Sequence, residues 1–316
     1  MTYDFKLVIK AATLHYKEGL TQDDISRKLK ISKYQVNRII KRALETGIVH
    51  ITINDSLANI SEYEEKLEKE LNLKRAIVVD NFGLSDKELK SKLGQAAANY
   101  LTEIIKNSDV IGVAWGTTVN EVINHLPSKI NKNVEIVQVT GGIHQMSVNL
   151  NCQDIARRLA SKFGVEPHLI YAPAIVESQK LHDLLLEESS IKKTLDYFDT
   201  INIALVGIGA LYPKVTSSLI ETDVLSEKDL ETLKTSKAVG DVFSHCYDIN
   251  GNICALEVDS RMITIMLRDL LKIPYAIGVA GGELKAESIL GAVRGKFINI
   301  LITDSKAAAK ILKLIK

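Results

Sequence analysis

The chain has 316 residues, 46% hydrophobic and 25% charged, with a formal net charge of +1. This ordinary globular mixture is long enough for two domains, or one large domain with an appendage. It excludes a disulfide scaffold, since Cys152, Cys246 and Cys254 are odd in number and form no CxxC pair, and no apolar run reaches the roughly 18 residues a membrane span needs.

The start, Met-Thr-Tyr-Asp-Phe-Lys, leads into no apolar stretch and reads as no signal peptide, so a cytoplasmic chain without a membrane partner is expected. Charge is unevenly spread. Residues 1–53 carry ten Lys/Arg against five Asp/Glu, which leaves thirty against thirty-four over residues 54–316. A basic head on a slightly acidic body fits a protein whose head alone meets nucleic acid.

The first predicted helix covers residues 4–18, with Phe5, Val8, Ile9, Ala12 and Tyr16 on one face, and Gly19 ends it. Thr21 and Asp24 form an N-cap pair that opens a short helix to Leu29. Lys30-Ile31 is a tight connection. Ser32 and Gln35 make a fuller capping box, and a third helix runs to Thr46 before Gly47 stops it. Three short helices with a tight turn before the third match a helix-turn-helix. Its predicted core is Ile25, Leu29, Ile31, Val36, Ile39, Ile40 and Leu44. The third helix then presents Ser32, Lys33, Tyr34, Gln35, Asn37 and Arg38 to base edges in a major groove. Gln35 and Asn37 suit adenine, while Lys33 and Arg38 suit guanine or phosphate. Lys41 and Arg42 add phosphate contacts without sequence information. The competing reading is a helical cap with a solvated charged face. Ile48 to Ile53 alternates like a strand and would supply the wing of a winged variant.

Asn54-Asp55-Ser56 reads as a hinge, giving a DNA-binding domain over 1–54 and a second domain over 55–316. A charged helix over 57–72 turns Leu57, Ile60, Leu67 and Leu71 inward. Strand-like runs then alternate with helical ones, at 76–80, 109–115, 134–140, 168–176, 201–207, 275–279 and 298–303. That alternation predicts an α/β domain with a mainly parallel sheet.

Several of these strands end in glycine: Gly116-Thr117-Thr118, Gly141-Gly142, Gly207-Ile-Gly209 and Gly281-Gly282. Ligands bind outside the carboxyl ends of such strands, where glycine lets them approach the backbone. After Gly116 the pattern turns helical, so backbone N–H groups and a helix dipole face whatever sits above, which suits a phosphate. Lys285 falls in the first turn after Gly281-Gly282, in reach of a phosphate held there. Asp241 sits at a chain turn that aims a carboxylate at sugar hydroxyls. Gly116-Thr117-Thr118 is no P-loop, because no Gly-Lys-Ser/Thr follows, and Gly207-x-Gly209 lacks the third glycine of the dinucleotide fingerprint.

An ordered series of stretches resembles the SorC-type transcriptional regulators of bacteria, also called sugar-binding-domain or DeoR/CggR-like regulators. The series begins with Leu20-Thr-Gln-Asp-Asp-Ile-Ser-Arg-Lys-Leu29, Gly112-Val-Ala-Trp-Gly-Thr-Thr118, Val137-Gln-Val-Thr-Gly-Gly-Ile143 and Tyr171-Ala-Pro-Ala174. It continues through Ala204-Leu-Val-Gly-Ile-Gly209, Ala238-Val-Gly-Asp241, Asp248-Ile-Asn-Gly251, Gly278-Val-Ala-Gly-Gly-Glu-Leu-Lys285 and Asn299-Ile-Leu-Ile-Thr-Asp304. The resemblance implies an α/β Rossmann-like effector domain related to sugar-phosphate isomerases, with an N-terminal all-α winged helix-turn-helix domain. It implies a regulator, often a repressor, of a carbohydrate operon that responds to a phosphorylated sugar. Gly116, Thr117, Thr118 and Lys285 match the phosphate positions. Gln145, Asn149 and Asp241 lie near the positions for sugar hydroxyls, and Gly209 joins that set. The implied partners are operator DNA, the phosphosugar and further copies of the chain in a dimer or tetramer, with no cofactor and no metal. Two departures stand out. The family's recognition helix often starts Ser-Arg-Pro, against Ser32-Lys33-Tyr34 here. A deoxyribose-phosphate-sensing branch has a lysine before the paired glycines, suited to an imine, where this chain has Thr140.

The alternative is a sugar-phosphate isomerase-like enzyme with a fused DNA-binding head. Isomerisation needs a base at the substrate carbon, for which Asp241 is the first candidate and Glu283 the second. His144 and His245 sit in no catalytic motif, and no metal-ligand cluster appears in the sequence.

Overall fold

Three helices, α1 (Phe5–Tyr16), α2 (Gln22–Leu29) and α3 (Lys33–Glu45), build the N-terminal unit of the computed structural model, which describes residues 4–50, 56–143, 151–212, 215–221 and 224–315. The caps lie where the sequence places them. Thr21 accepts from Asp24 N–H at the start of α2, Ser32 and Gln35 form a reciprocal capping box on α3, and Lys30 makes the turn between the two in a left-handed conformation, φ 54°. Such caps satisfy N–H groups that a helix leaves without internal partners. The core is Val8, Ala11, Ala12, Leu14, Ile25, Val36, Ile39, Ile40 and Ala43.

Two expectations fail in detail. Phe5, Ile9 and Tyr16 are exposed, because α1 turns Ala11 and Leu14 inward instead. Leu44 is 38% exposed, and Ala43 takes the core position on α3. Ile48 and Val49 form a bend rather than a strand, and residues 51–55 lie outside the described residues, so the wing remains a reading of the sequence.

The second unit, residues 56–316, begins with α4 (Ser56–Leu71). It continues through β1 (Arg75–Val79), α5 (Asp86–Ile104), β2 (Val110–Val113), α6 (Thr117–His125), β3 (Glu135–Gln138), α7 (Cys152–Phe163), β4 (Pro167–His168), α8 (Gln179–Glu187) and α9 (Ser189–Leu195). Next come β5 (Ile203–Gly207), β6 (Gly209–Ala210), α10 (Ser218–Glu221), α11 (Glu227–Thr235), β7 (Gly240–Val242), β8 (His245–Tyr247), α12 (Leu256–Asp259) and α13 (Leu267–Leu270). It closes with β9 (Tyr275–Val279), α14 (Ala286–Arg294), β10 (Ile300–Asp304) and α15 (Ser305–Ile315). Leu67 on α4 is fully buried, while Ile60 and Leu71 are half-buried.

Seven strands form one parallel sheet in the order β1-β10-β9-β5-β2-β3-β4. Parallel sheets are covered on both faces, and β5 shows it: Ile203 and Leu205 pack with α5, α6 and α7 on one side, Ala204 and Val206 with α14 and α15 on the other. The chain leaves β2 toward β3 but leaves β5 toward β9, so these neighbours mark a topological switch point, where open sheets leave a crevice at their carboxyl ends.

Beside this sheet, β6, β7 and β8 form a small antiparallel one. It corrects the reading of Asp241 as a turn residue: Asp241 lies in β7, paired with Gly209. The expected strand at 168–176 shrinks to Pro167–His168, followed by isolated bridges at Pro173 and Ile175.

Candidate functional site

The crevice at the switch point is lined by Gly116, Thr117 and Thr118 after β2, by Gly207, Ile208 and Gly209 after β5, and by Thr216, Asp241, Phe243 and Lys285, around a cavity of about 40 Å³. Gly116 has φ 144°, a conformation that other residues rarely adopt, and it begins α6 with no side-chain cap. The first-turn N–H groups of α6 therefore open on the crevice with the positive end of the helix dipole behind them.

Opposite them, the Lys285 ammonium donates to the Ile208 carbonyl at 2.7 Å. Lys285 is carried by the short turn after Gly282, whose N–H donates to Asp304 Oδ2 at 2.5 Å. Asp304 Oδ1 in turn accepts from Asn81 at 2.6 Å and from Lys306 N–H, which ties this turn to the start of α15.

Asp241 is 6% exposed, and its Oδ1 has no hydrogen-bond partner among the described residues. Burial holds its carboxyl above the ordinary aspartate range, against the pull of the Ser217 hydroxyl, Lys285 and His245. Gly209 makes room for it, since a Cβ there would overlap Asp241 Oδ1. Beyond Asp241, β7 turns into β8 through Phe243 and Ser244, both left-handed at φ 50° and 69°. Two-residue hairpins usually place asparagine or glycine there. Phe243 is held by its carbonyl, which accepts from Thr264 Oγ1 at 2.7 Å.

Six of the eight residues assigned to the effector thus line one crevice. The other two, Gln145 and Asn149, lie outside the described residues. The sequence reading missed Thr216, Phe243 and Ile208. The Gly-Ile-Gly pattern after β5 did signal Ile208, whereas Thr216 and Phe243 reach the crevice only through the small sheet.

The other sequence candidates have structural places. His245 donates from Nε2 to the Ile265 carbonyl at 2.8 Å, and its Nδ1 lies 2.6 Å from Asp259. Glu283 is exposed and does not line the crevice. Thr140 is fully buried with its hydroxyl 3.1 Å from that of Thr264. The three thiols are buried, and burial pushes Cys152 up to about 12. Among the described residues no group of His, Cys, Asp and Glu could hold a metal, and no helix is long and apolar enough to cross a membrane.

On α3 the six assigned DNA-facing residues divide. Gln35 Oε1 accepts from the Ser32 N–H at 2.9 Å and from its hydroxyl at 3.1 Å, so both side chains serve the cap. Lys33 pairs with Asp23 of α2 at 3.0 Å. Tyr34, Asn37 and Arg38 are exposed.

The family model described as "Putative sugar-binding domain" matches residues 55–313. The chain is 30% identical to the sorbitol operon regulator of Klebsiella pneumoniae over 98% of both chains, and 31% identical to the deoxyribonucleoside regulator of Bacillus subtilis over 96% of both. The crystal structure of the full-length sorbitol operon regulator SorC superposes with a TM-score of 0.76, covering all of both chains. With that match over most of its length, the chain belongs to the sugar-binding-domain family of SorC- and DeoR-type transcriptional regulators.

Proposed function

We propose that this regulator binds operator DNA of a carbohydrate-metabolism operon through its N-terminal helices, and that a phosphorylated sugar in the switch-point crevice sets its DNA affinity. The observation that carries the effector reading is the juxtaposition in one crevice of an open helix N-terminus, an ammonium and a buried carboxylate oxygen with no donor among the described residues. The N–H groups of α6 and Lys285 suit a phosphate. Asp241 Oδ1 suits a sugar hydroxyl, which would give that oxygen a hydrogen bond. Gln145 and Asn149 are assigned to the remaining hydroxyls. Thr140, where an imine-forming lysine would stand, favours a noncovalent ligand.

The relatives named above are regulators, which sets aside the isomerase-like alternative. A ligand shifts DNA affinity only if it binds the competent and incompetent arrangements unequally. The working species is a dimer or tetramer in the cytoplasm, because helix-turn-helix readers pair their heads over half-sites.

The test is a panel of sugar phosphates and their unphosphorylated parents, read by calorimetry and by gel shift on promoter DNA. A phosphorylated sugar should bind, alter DNA retention and remain unconsumed. Turnover of the ligand with no change in DNA retention would sink the sensor reading. Lys285→Ala should weaken the phosphosugar about ten- to a hundredfold, the worth of a charge-assisted hydrogen bond, and leave basal DNA binding intact.

A further inference from the structure

Resting on the DNA-binding reading of the head, we infer that Tyr34 and Arg38 act as one reading unit, which selects a guanine flanked by a thymine on the adjacent base pair. Ser32 and Gln35 bind each other in the cap, and Lys33 pairs with Asp23 at the surface. Beyond the cap, Tyr34, Asn37 and Arg38 continue the exposed face of α3.

Tyr34 is 72% exposed, a large aromatic ring in the first turn of α3 that packs on none of the head's core. One helical turn later, the Arg38 guanidinium lies over that ring, 6.0 Å from its centroid. A cation over an aromatic face is attracted to it, so the ring orients the guanidinium fork. An arginine fork on the major-groove side pairs with guanine O6 and N7. The ring beside it needs an apolar contact, and thymine is the base that offers one there, its 5-methyl group. The two groups lie within the reach of neighbouring base pairs, whose rise is about 3.4 Å. The unit therefore differs from a lone arginine, which reads guanine whatever its neighbour.

The experiment is in vitro selection from random duplexes with the full-length chain and with Tyr34→Ala, Tyr34→Phe and Arg38→Ala. Affinities are then measured on the selected site with that thymine replaced by deoxyuridine. The wild-type protein should select a guanine with a neighbouring thymine. Tyr34→Phe should keep both, Tyr34→Ala should lose the thymine and weaken the guanine preference, and Arg38→Ala should lose the guanine. Removing the methyl should cost the wild-type protein about fourfold, the worth of one buried carbon, and cost Tyr34→Ala nothing. Identical selected sites for wild type and Tyr34→Ala, or no response to deoxyuridine, would overturn the inference while leaving DNA binding in place. Failure of the wild-type protein to enrich any sequence would instead overturn the DNA-binding reading, and this inference with it. Because position 34 is exposed, loss of fold does not confound the variants.

Discussion

At the scale of single residues, Asp241 sets the chemistry of the crevice. A carboxyl held above its ordinary range binds its proton more tightly folded than unfolded. Between the ordinary aspartate value of 3.8 and the raised one, the folded chain holds more protons, so this residue lowers stability as pH rises through that window. Asp241→Asn removes the buried charge at nearly constant size. The variant should melt higher than wild type at pH 7, with the gain shrinking as pH falls toward 3.8, while phosphosugar binding weakens about ten- to a hundredfold for want of a charged acceptor. Calorimetric melting across pH, with ligand titration, checks both halves. A lower melting temperature at pH 7 would mean that Asp241 is a structural anchor. The sequence reading assigned Asp241 to sugar hydroxyls from a chain turn. Its strand, its burial and the glycine that admits it depend on pairing with a segment more than thirty residues away, which local patterning does not carry.

Among the elements, helix starts were the most legible, because a cap is chemistry between residues three apart. Thr21 and Ser32 cap where their spacing says. In the free chain the same capping box engages two of the assigned base readers, Ser32 and Gln35 through its Oε1. Ser32→Ala should therefore cost the head about 1 kcal/mol of stability and reduce affinity for all duplexes alike, leaving their rank order unchanged. A changed preference at one base position would place Ser32 in the readout. Amphipathic faces were less legible. In α1, two alanines and Leu14 turn inward and leave Phe5 and Ile9 outside, a choice of face that depends on what α3 presents. The β6–β8 sheet was invisible, since strands of two or three residues leave no measurable alternation.

For the whole molecule, the uneven charge and the change from short capped helices to strand–helix alternation marked two parts, and the chain clusters into units at 1–55 and 56–316. The strand order was beyond the sequence, because parallel strands pair across long crossovers. That order nevertheless explains why glycines from β2 and β5, ninety residues apart, converge: they flank the one place where the winding reverses. The crevice around Asp241 then bears on the protein's lifetime in the cell. A ligand present at a hundred times its dissociation constant adds about 2.7 kcal/mol to folding stability, and proteases act on the opened state. The sugar-free form should thus be degraded sooner, so that the amount of regulator, as well as its DNA affinity, follows the metabolite. Pulse-chase half-lives with and without the sugar would measure this. Equal half-lives would confine the metabolite's influence to DNA affinity.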